Sequence, residues 1–170
     1  LPDGRLFDAG HLNPSRVLDP LTWTWTSTTY HLPSGNSAGG DEGSAVMYLP
    51  GKVLKCGGHD SATDDTAIID FTGGSPAWTA SDDMEHVRRN ANTVLLPDGR
   101  ILATGGNQTS SYGSPWYDAE VWDPATGLWT DADTNSMTHP RWYHSTAVLL
   151  RDARVFVAGG DLQPPTYSAH

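Results

Sequence analysis

Leu96-Pro97-Asp98-Gly99-Arg100-Ile101-Leu102-Ala103-Thr104-Gly105-Gly106 (LPDGRILATGG) decides how the rest of the chain is read. Pro-Asp-Gly is hairpin-turn chemistry: proline presets one backbone angle, aspartate bonds back to the turn, and glycine takes positive φ without strain. The apolar run that follows stops at a glycine pair, as a strand does where backbones crowd. The arrangement recurs at Leu1 to Gly10 (LPDGRLFDAG), Leu49 to Gly58 (LPGKVLKCGG) and Leu150 to Gly160 (LRDARVFVAGG). Gly10, Gly57, Gly105 and Gly159 stand 47, 48 and 54 residues apart. A second marker follows the first three: Asp19-Pro20 with Trp25, Asp70 with Trp78, and Asp123-Pro124 with Trp129. A tryptophan at that point, on the last strand of each unit, is expected to pack between neighbouring units.

A period near 50 with four short strands per unit is that of a kelch-type β-propeller, so the expected fold class is all-β. Strands are expected at Ser44–Leu49, Lys52–Cys56, Thr66–Phe71 and Ala77–Ala80 in one blade. The next has them at Ala91–Leu96, Arg100–Thr104, Ala119–Asp123 and Leu128–Asp131. The last blade gives Ser145–Leu150 and Arg154–Ala158, and the opening one lacks its first strand. Residues 1–170 thus read as one propeller segment with no second domain, about three to four blades of a larger ring. A segment of that size cannot close a ring and keeps open strand edges, so the remaining blades are expected from the same or another chain.

Composition narrows the function. The formal net charge of −10, from 20 acidic against 10 basic residues, repels nucleic acid and anionic membrane surfaces. No apolar run approaches the roughly 18 residues that span a bilayer, so neither nucleic acid nor membrane insertion is expected. Cys56 is the single cysteine and has no partner for a disulfide or a CxxC pair. Asn107-Gln108-Thr109 is a candidate N-glycosylation sequon.

Arg141-Trp142-Tyr143-His144-Ser145-Thr146-Ala147-Val148-Leu149-Leu150, running into Arg154-Val155-Phe156-Val157-Ala158-Gly159-Gly160, resembles the galactose oxidase and glyoxal oxidase group. Its pattern there is R-x-Y-H-S-x-A-x-L-L-P-D-G-R-V-x-x-x-G-G. Gly43-Ser44-Ala45-Val46-Met47-Tyr48 and Asn92-Thr93-Val94-Leu95-Leu96-Pro97-Asp98-Gly99-Arg100 are similar to bacterial relatives of that group. The tail Pro164-Pro165-Thr166-Tyr167-Ser168 resembles the stretch before the immunoglobulin-like domain that often follows the propeller. The resemblance implies a full ring of seven blades, of which this segment supplies about three to four, and secreted, extracellular proteins. In the enzymes it also implies a copper ion with a Tyr radical cross-linked to Cys, oxidising an alcohol or aldehyde with O2 and releasing hydrogen peroxide.

The repeat supplies a register for the site. Fifteen residues before Gly57, Gly105 and Gly159 stand Glu42, Asn90 and His144, each just ahead of the strand nearest the propeller axis, where polar groups converge on the channel. The resemblance places the cross-linked Cys at Glu42, the radical Tyr at Asn90 and a copper-binding Tyr-His pair at Tyr143 and His144. This chain keeps the pair and departs at the other two positions, and Cys56, inside a strand, does not replace the missing cysteine. Imidazole and phenolate suit Cu(II), so Tyr143-His144 reads as a retained structural element, a metal pair, or part of an apo carbohydrate or small-molecule site.

Trp116, Tyr117 and Trp122 are candidates for stacking on sugar rings or for inter-blade packing. Arg88, Arg89 and Arg141 are expected to pair with the acidic excess. Asp64-Asp65 and Asp82-Asp83 read as solvated turns or weak calcium contacts. His11, His31, His59, His86, His139 and His170 show no metal-ligand spacing. Two functions follow. The departures at Glu42 and Asn90 favour a propeller that has lost oxidase chemistry and serves as an extracellular binding or structural module for glycans, with no cofactor. The retained Tyr143-His144 favours a copper-radical oxidase.

Overall fold

The computed structural model describes residues 1, 3–59, 61–109, 114–132 and 136–160; the Pro164–Ser168 tail lies outside the described residues. Those residues form thirteen strands and no helix, arranged as four antiparallel sheets in strict chain order. The first holds β1 (Leu6–Asp8), β2 (Arg16–Asp19) and β3 (Thr24–Ser27). The second holds β4 (Ser44–Leu49), β5 (Lys52–Cys56), β6 (Thr66–Asp70) and β7 (Trp78–Ala80). The third holds β8 (Asn92–Leu95), β9 (Ile101–Thr104), β10 (Glu120–Asp123) and β11 (Leu128–Asp131), and the fourth β12 (Ser145–Leu149) and β13 (Val155–Gly159). The expected strands are all present, with ends moved by about a residue, the ordinary uncertainty of strand ends. β6 stops at Asp70 rather than Phe71 because Asp70 Oδ1 accepts from both N–H (2.8 Å) and hydroxyl (2.6 Å) of Thr72, which starts the turn.

The hairpin turns form as their chemistry dictates. Gly99 takes φ 88° and donates its N–H to Leu96 O at 3.0 Å, while Asp98 holds Arg100 through N–H (3.1 Å) and Nε (2.8 Å). Asp3 with Arg5 and Asp152 with Arg154 repeat the aspartate clamp. In the last turn Ala153 accepts φ 66° where Gly4 and Gly99 stand in the others.

The sheets lean on one another through two apolar layers. Between the second and third, Tyr48, Leu54, Cys56, Met84, Ile101, Ala103, Trp122 and Trp129 form one buried cluster, with Tyr48 and Trp122 edge-to-face at 5.0 Å. Between the first and second, Val53, Ala67, Ile69 and Trp78 pack with Phe7, Tyr30 and Phe71. Each fully buried side chain of this size contributes about 1.5–3 kcal/mol.

The outer-strand tryptophans fasten the layers. Trp78 Nε1 donates to Ser15 Oγ at 2.9 Å and Trp129 Nε1 to Thr66 Oγ1 at 3.0 Å, each reaching back 63 residues into the sheet before its own. Trp25 departs from this pattern: it is 48% exposed and carries the Arg16 guanidinium over its ring at 4.6 Å. The first strands of the second, third and fourth sheets adjoin, joined by Ser44 Oγ to Thr93 Oγ1 (2.8 Å) and Asn92 Nδ2 to Ser145 Oγ (2.9 Å).

Candidate functional site

Glu42, Asn90 and His144 share one unusual backbone conformation: φ is 65°, 59° and 61°. Left-handed φ at three non-glycine residues is rare and strained. Its recurrence two residues before β4 and β8 and one residue before β12 puts three equivalent residues on one rim, at the entry ends of adjoining strands. Asn90 N–H donates to Glu42 O at 2.8 Å, stitching the first two together.

Each rim residue has its own setting. Glu42 Oε2 accepts from Arg89 Nε at 2.7 Å and from Nη2. Tyr143 and His144 lie with ring centroids 3.7 Å apart and planes tilted by 32°, the phenol half-buried and the imidazole exposed. His144 O accepts from Gly160 N–H at 3.3 Å, and Ser145 N–H closes a turn onto Trp142 O at 2.9 Å, so both rings are carried on a hydrogen-bonded strand entry.

The glycine pairs lock the rim from behind. Gly58 and Gly106 donate N–H to Arg88 O and Arg141 O of the following sheet, both at 2.7 Å. Arg88 Nη1 donates to Gly105 O at 2.8 Å and Arg141 Nη1 to Gly159 O at 2.7 Å. Of the three arginines expected to meet acids, Arg88 pairs with Glu120 and Arg89 with Glu42. Arg141 instead caps a carbonyl.

The expected stacking surface does not form. Trp122 is 1% exposed, a core residue, because alternation along β10 turns it inward with Glu120. Trp116 has His86 stacked on its ring at 4.0 Å and 16°, and its Nε1 donates to Val87 O at 2.7 Å. Tyr117 alone of the three is open, at 40%. Asn107 is 2% exposed and its Nδ2 donates to Thr109 O, so this amide has no room for a glycan in the fold; the sequon triplet carries no information about burial.

Two buried charges escaped the sequence reading. Glu120 is fully buried against Arg88. Lys55 is 1% exposed, its Nζ 3.4 Å from Gly10 O and 4.8 Å from the Trp78 ring centroid. The signal for Lys55 was period-2 alternation, which puts it on the same face as the core residue Val53. Burial lowers its pKa from the ordinary 10.5 to about 8, against the pull of Asp8. Between those values the unfolded chain holds the proton and the folded chain does not, so wild-type stability rises with pH there. Lys55→Met is expected to stabilise by about 1–3 kcal/mol at pH 7, the gain shrinking as pH climbs from 8 toward 10.5. Urea midpoints of both proteins at pH 7, 8.5 and 10 check this, and a gain that does not vary with pH contradicts it.

Asp64, Asp65, Asp82 and Asp83 converge, and burial followed by the charges of the other three raises the Asp83 carboxyl above its usual range. Among the described residues no three His, Cys, Asp or Glu side chains form a metal-holding group. Cys56 is buried, its thiol pushed up to about 12 by desolvation, and sits in the core rather than on the rim. For copper, the rim offers one imidazole and one phenol on adjacent residues, donors of the right chemistry amounting to part of a ligand set.

Residues 39–168 match the model of the glyoxal oxidase N-terminus family, and the chain belongs to that family. A galactose oxidase of Gibberella zeae is 30% identical over 180 residues, covering 94% of this chain and 25% of that protein. Aldehyde oxidase GLOX1 of Arabidopsis thaliana is 29% identical over 192 residues, covering 94% and 31%. Among solved structures, a fungal alcohol oxidase of the AA5 family in complex with copper superposes with TM-score 0.65 at 26% identity, over 93% of this chain and 45% of that one. The chain therefore spans a quarter to a third of the length of these curated relatives.

Proposed function

We propose that the four sheets are consecutive blades of a kelch-type propeller in a secreted copper oxidase acting on an alcohol or aldehyde, and that Tyr143 and His144 are two of its metal ligands. The observation that carries this is the Tyr143-His144 pair on the same rim as Glu42 and Asn90, each position marked by left-handed backbone. The relatives named for galactose, aldehyde and alcohol oxidation support it. Because Glu42 and Asn90 stand where the resemblance puts the cross-linked pair, this reading takes its second redox group from outside the described residues; the chain covers 25% of the galactose oxidase, and Glu42 is engaged with Arg89.

Copper, held in part by Tyr143 and His144, would supply a one-electron redox couple and a Lewis-acid centre at this rim. The chain's own residues position and accept. His144 offers a ring nitrogen from the strand entry held by Gly160. Tyr143 presents its phenol oxygen alongside, and as a copper-bound phenolate it would be the group able to accept a substrate hydroxyl proton. Arg141, tied to Gly159 O, fixes the approach of the segment that carries both rings.

The test is copper content with visible and electron paramagnetic spectra on the full-length parent protein, beside His144→Ala and Tyr143→Phe. Stoichiometric copper with nitrogen hyperfine structure that His144→Ala removes, and a charge-transfer band that Tyr143→Phe removes, is the expected result. A parent that takes up no copper overturns the proposal in favour of a binding or structural module, for which a glycan array is the next measurement.

A further inference from the structure

Arg89 stands where the second and third sheets meet at the rim. Its Nε donates to Glu42 Oε2 at 2.7 Å and its Nη2 to the same oxygen, while Asn90 N–H donates to Glu42 O at 2.8 Å. The Arg89 side chain is 10% exposed and that of Glu42 33%, so these charge-assisted bonds, about twice as strong as neutral ones, are partly shielded from water. We infer that Glu42 and Arg89 are positioning residues for Tyr143 and His144, acting from the second and third sheets through a continuous run of backbone contacts. The inference rests on the oxidase reading only in treating those two rings as the functional pair.

The run has no slack. Arg89 N–H donates to Asn107 O at 3.1 Å, and Asn107 N–H donates to Arg89 O at 3.0 Å. Gly106, next to Asn107, is wedged: a methyl there would meet Arg89 O at 2.6 Å and Ala91 N at 3.1 Å. The Gly106 N–H reaches Arg141 O at 2.7 Å, and Arg141 is gripped from its other side by Gly159 O, 2.7 Å from Nη1. Beyond Arg141 the chain turns tightly, Ser145 N–H closing on Trp142 O at 2.9 Å, and Tyr143 and His144 ride on that turn. Close-packed contacts of this kind pass a displacement on rather than absorbing it.

Strain supplies the need for such a hold. Left-handed φ at Glu42, Asn90 and His144 persists only where the surroundings over-determine it. The ion pair provides that constraint at the first two positions, and the Arg89–Gly106–Arg141 contacts carry it to the third. Arg154 with Asp152 makes the contrast: that exposed pair closes the turn between β12 and β13 and reaches nothing beyond it.

The two rings provide a ruler that needs no metal. Their centroids lie 3.7 Å apart, so the Tyr143 ring current displaces the His144 ring-proton signals by an amount that falls steeply with separation. Proton–carbon NMR of the full-length protein stripped of metal, with His144 assigned by His144→Gln, compares wild type with Glu42→Ala, Arg89→Gln, Glu42→Gln and Arg154→Gln. Expected is a displaced His144 signal in wild type that loses at least half its displacement in Glu42→Ala and in Arg89→Gln. The double variant loses no more than either single one, because the pair acts as a unit. Glu42→Gln, whose amide oxygen still accepts from Arg89, keeps most of the displacement, and Arg154→Gln keeps all of it. An undisplaced signal in wild type overturns the inference. So does a displacement unchanged in Glu42→Ala and Arg89→Gln while thermal unfolding shows both folded, or one that Arg154→Gln reduces as much. Glu42 borders an open cleft of about 240 Å³ through which water reaches Arg89 in Glu42→Ala, so this variant keeps its fold and decides alone if Arg89→Gln does not. A signal that follows the ion pair in a protein that takes up no copper leaves the inference standing and removes the oxidase reading. Copper uptake by a protein whose His144 signal ignores the ion pair does the reverse.

Discussion

Glu120→Ala is expected to lower unfolding stability by about 3–5 kcal/mol, the largest effect of any single charge in this chain. Arg88 and Glu120 are both fully buried, joined Nε to Oε1 at 2.6 Å, and Glu120 Oε2 also accepts from Glu85 N–H at 2.6 Å. Deleting the carboxylate strands a guanidinium in the core, and a buried unpaired charge costs far more than the pair contributes. Arg88→Met with Glu120→Leu should recover part of the loss. Recovery stays incomplete because Gly105 O and Glu85 N–H then lack their partners, at about 1–3 kcal/mol each. Urea unfolding with equal m-values measures both; a loss below about 1 kcal/mol in Glu120→Ala would show that water reaches the pair.

Gly105→Ala is expected to prevent folding or to cost more than about 4 kcal/mol, combining left-handed strain with a backbone collision. Gly105 has φ 70°, and a methyl there would stand against the carbonyl oxygen of Arg141, well inside van der Waals contact. The equivalent Gly57 meets Arg88 O at 2.5 Å in the same way. Gly99→Ala is the control: φ is 88°, but nothing lies within 4 Å of an added methyl, so strain alone applies, about 1–2 kcal/mol. The fourth sheet already carries Ala153 at the equivalent turn position with φ 66°. Thermal unfolding separates the two variants; Gly105→Ala melting within a few degrees of Gly99→Ala would mean that the Arg141 segment yields.

The strands were legible because Pro-Asp-Gly turns and glycine pairs are local signals, and the three rim positions because equal spacing from those glycines carries register through the repeat. Burial was not legible in the same way. Trp122 reads equally as a sugar-stacking or an inter-blade aromatic and faces the core, because which face of β10 is covered depends on the neighbouring sheet. Glu120, on the same strand, has no local mark that it meets Arg88, 32 residues earlier. The two aspartate pairs likewise read as separate turns, since their convergence depends on how β6 and β7 are joined. At the rim, Tyr143-His144 was legible as a motif, whereas the grip of Arg89 on Glu42 joins positions 47 residues apart and is set by the packing of sheet on sheet.

The backward reach of Trp78 and Trp129 changes what their light reports. Each indole sits on one sheet while its Nε1–H is held by a hydroxyl of the sheet before, so its emission responds to the integrity of that earlier sheet. Trp129 is the optical sensor of the second sheet and Trp78 of the first, and a fluorescence trace assigned by where a tryptophan sits in the sequence names the wrong unit. Loosening of the first sheet registers at Trp78, so the order in which units come apart is read one step out of phase with the positions of the dyes.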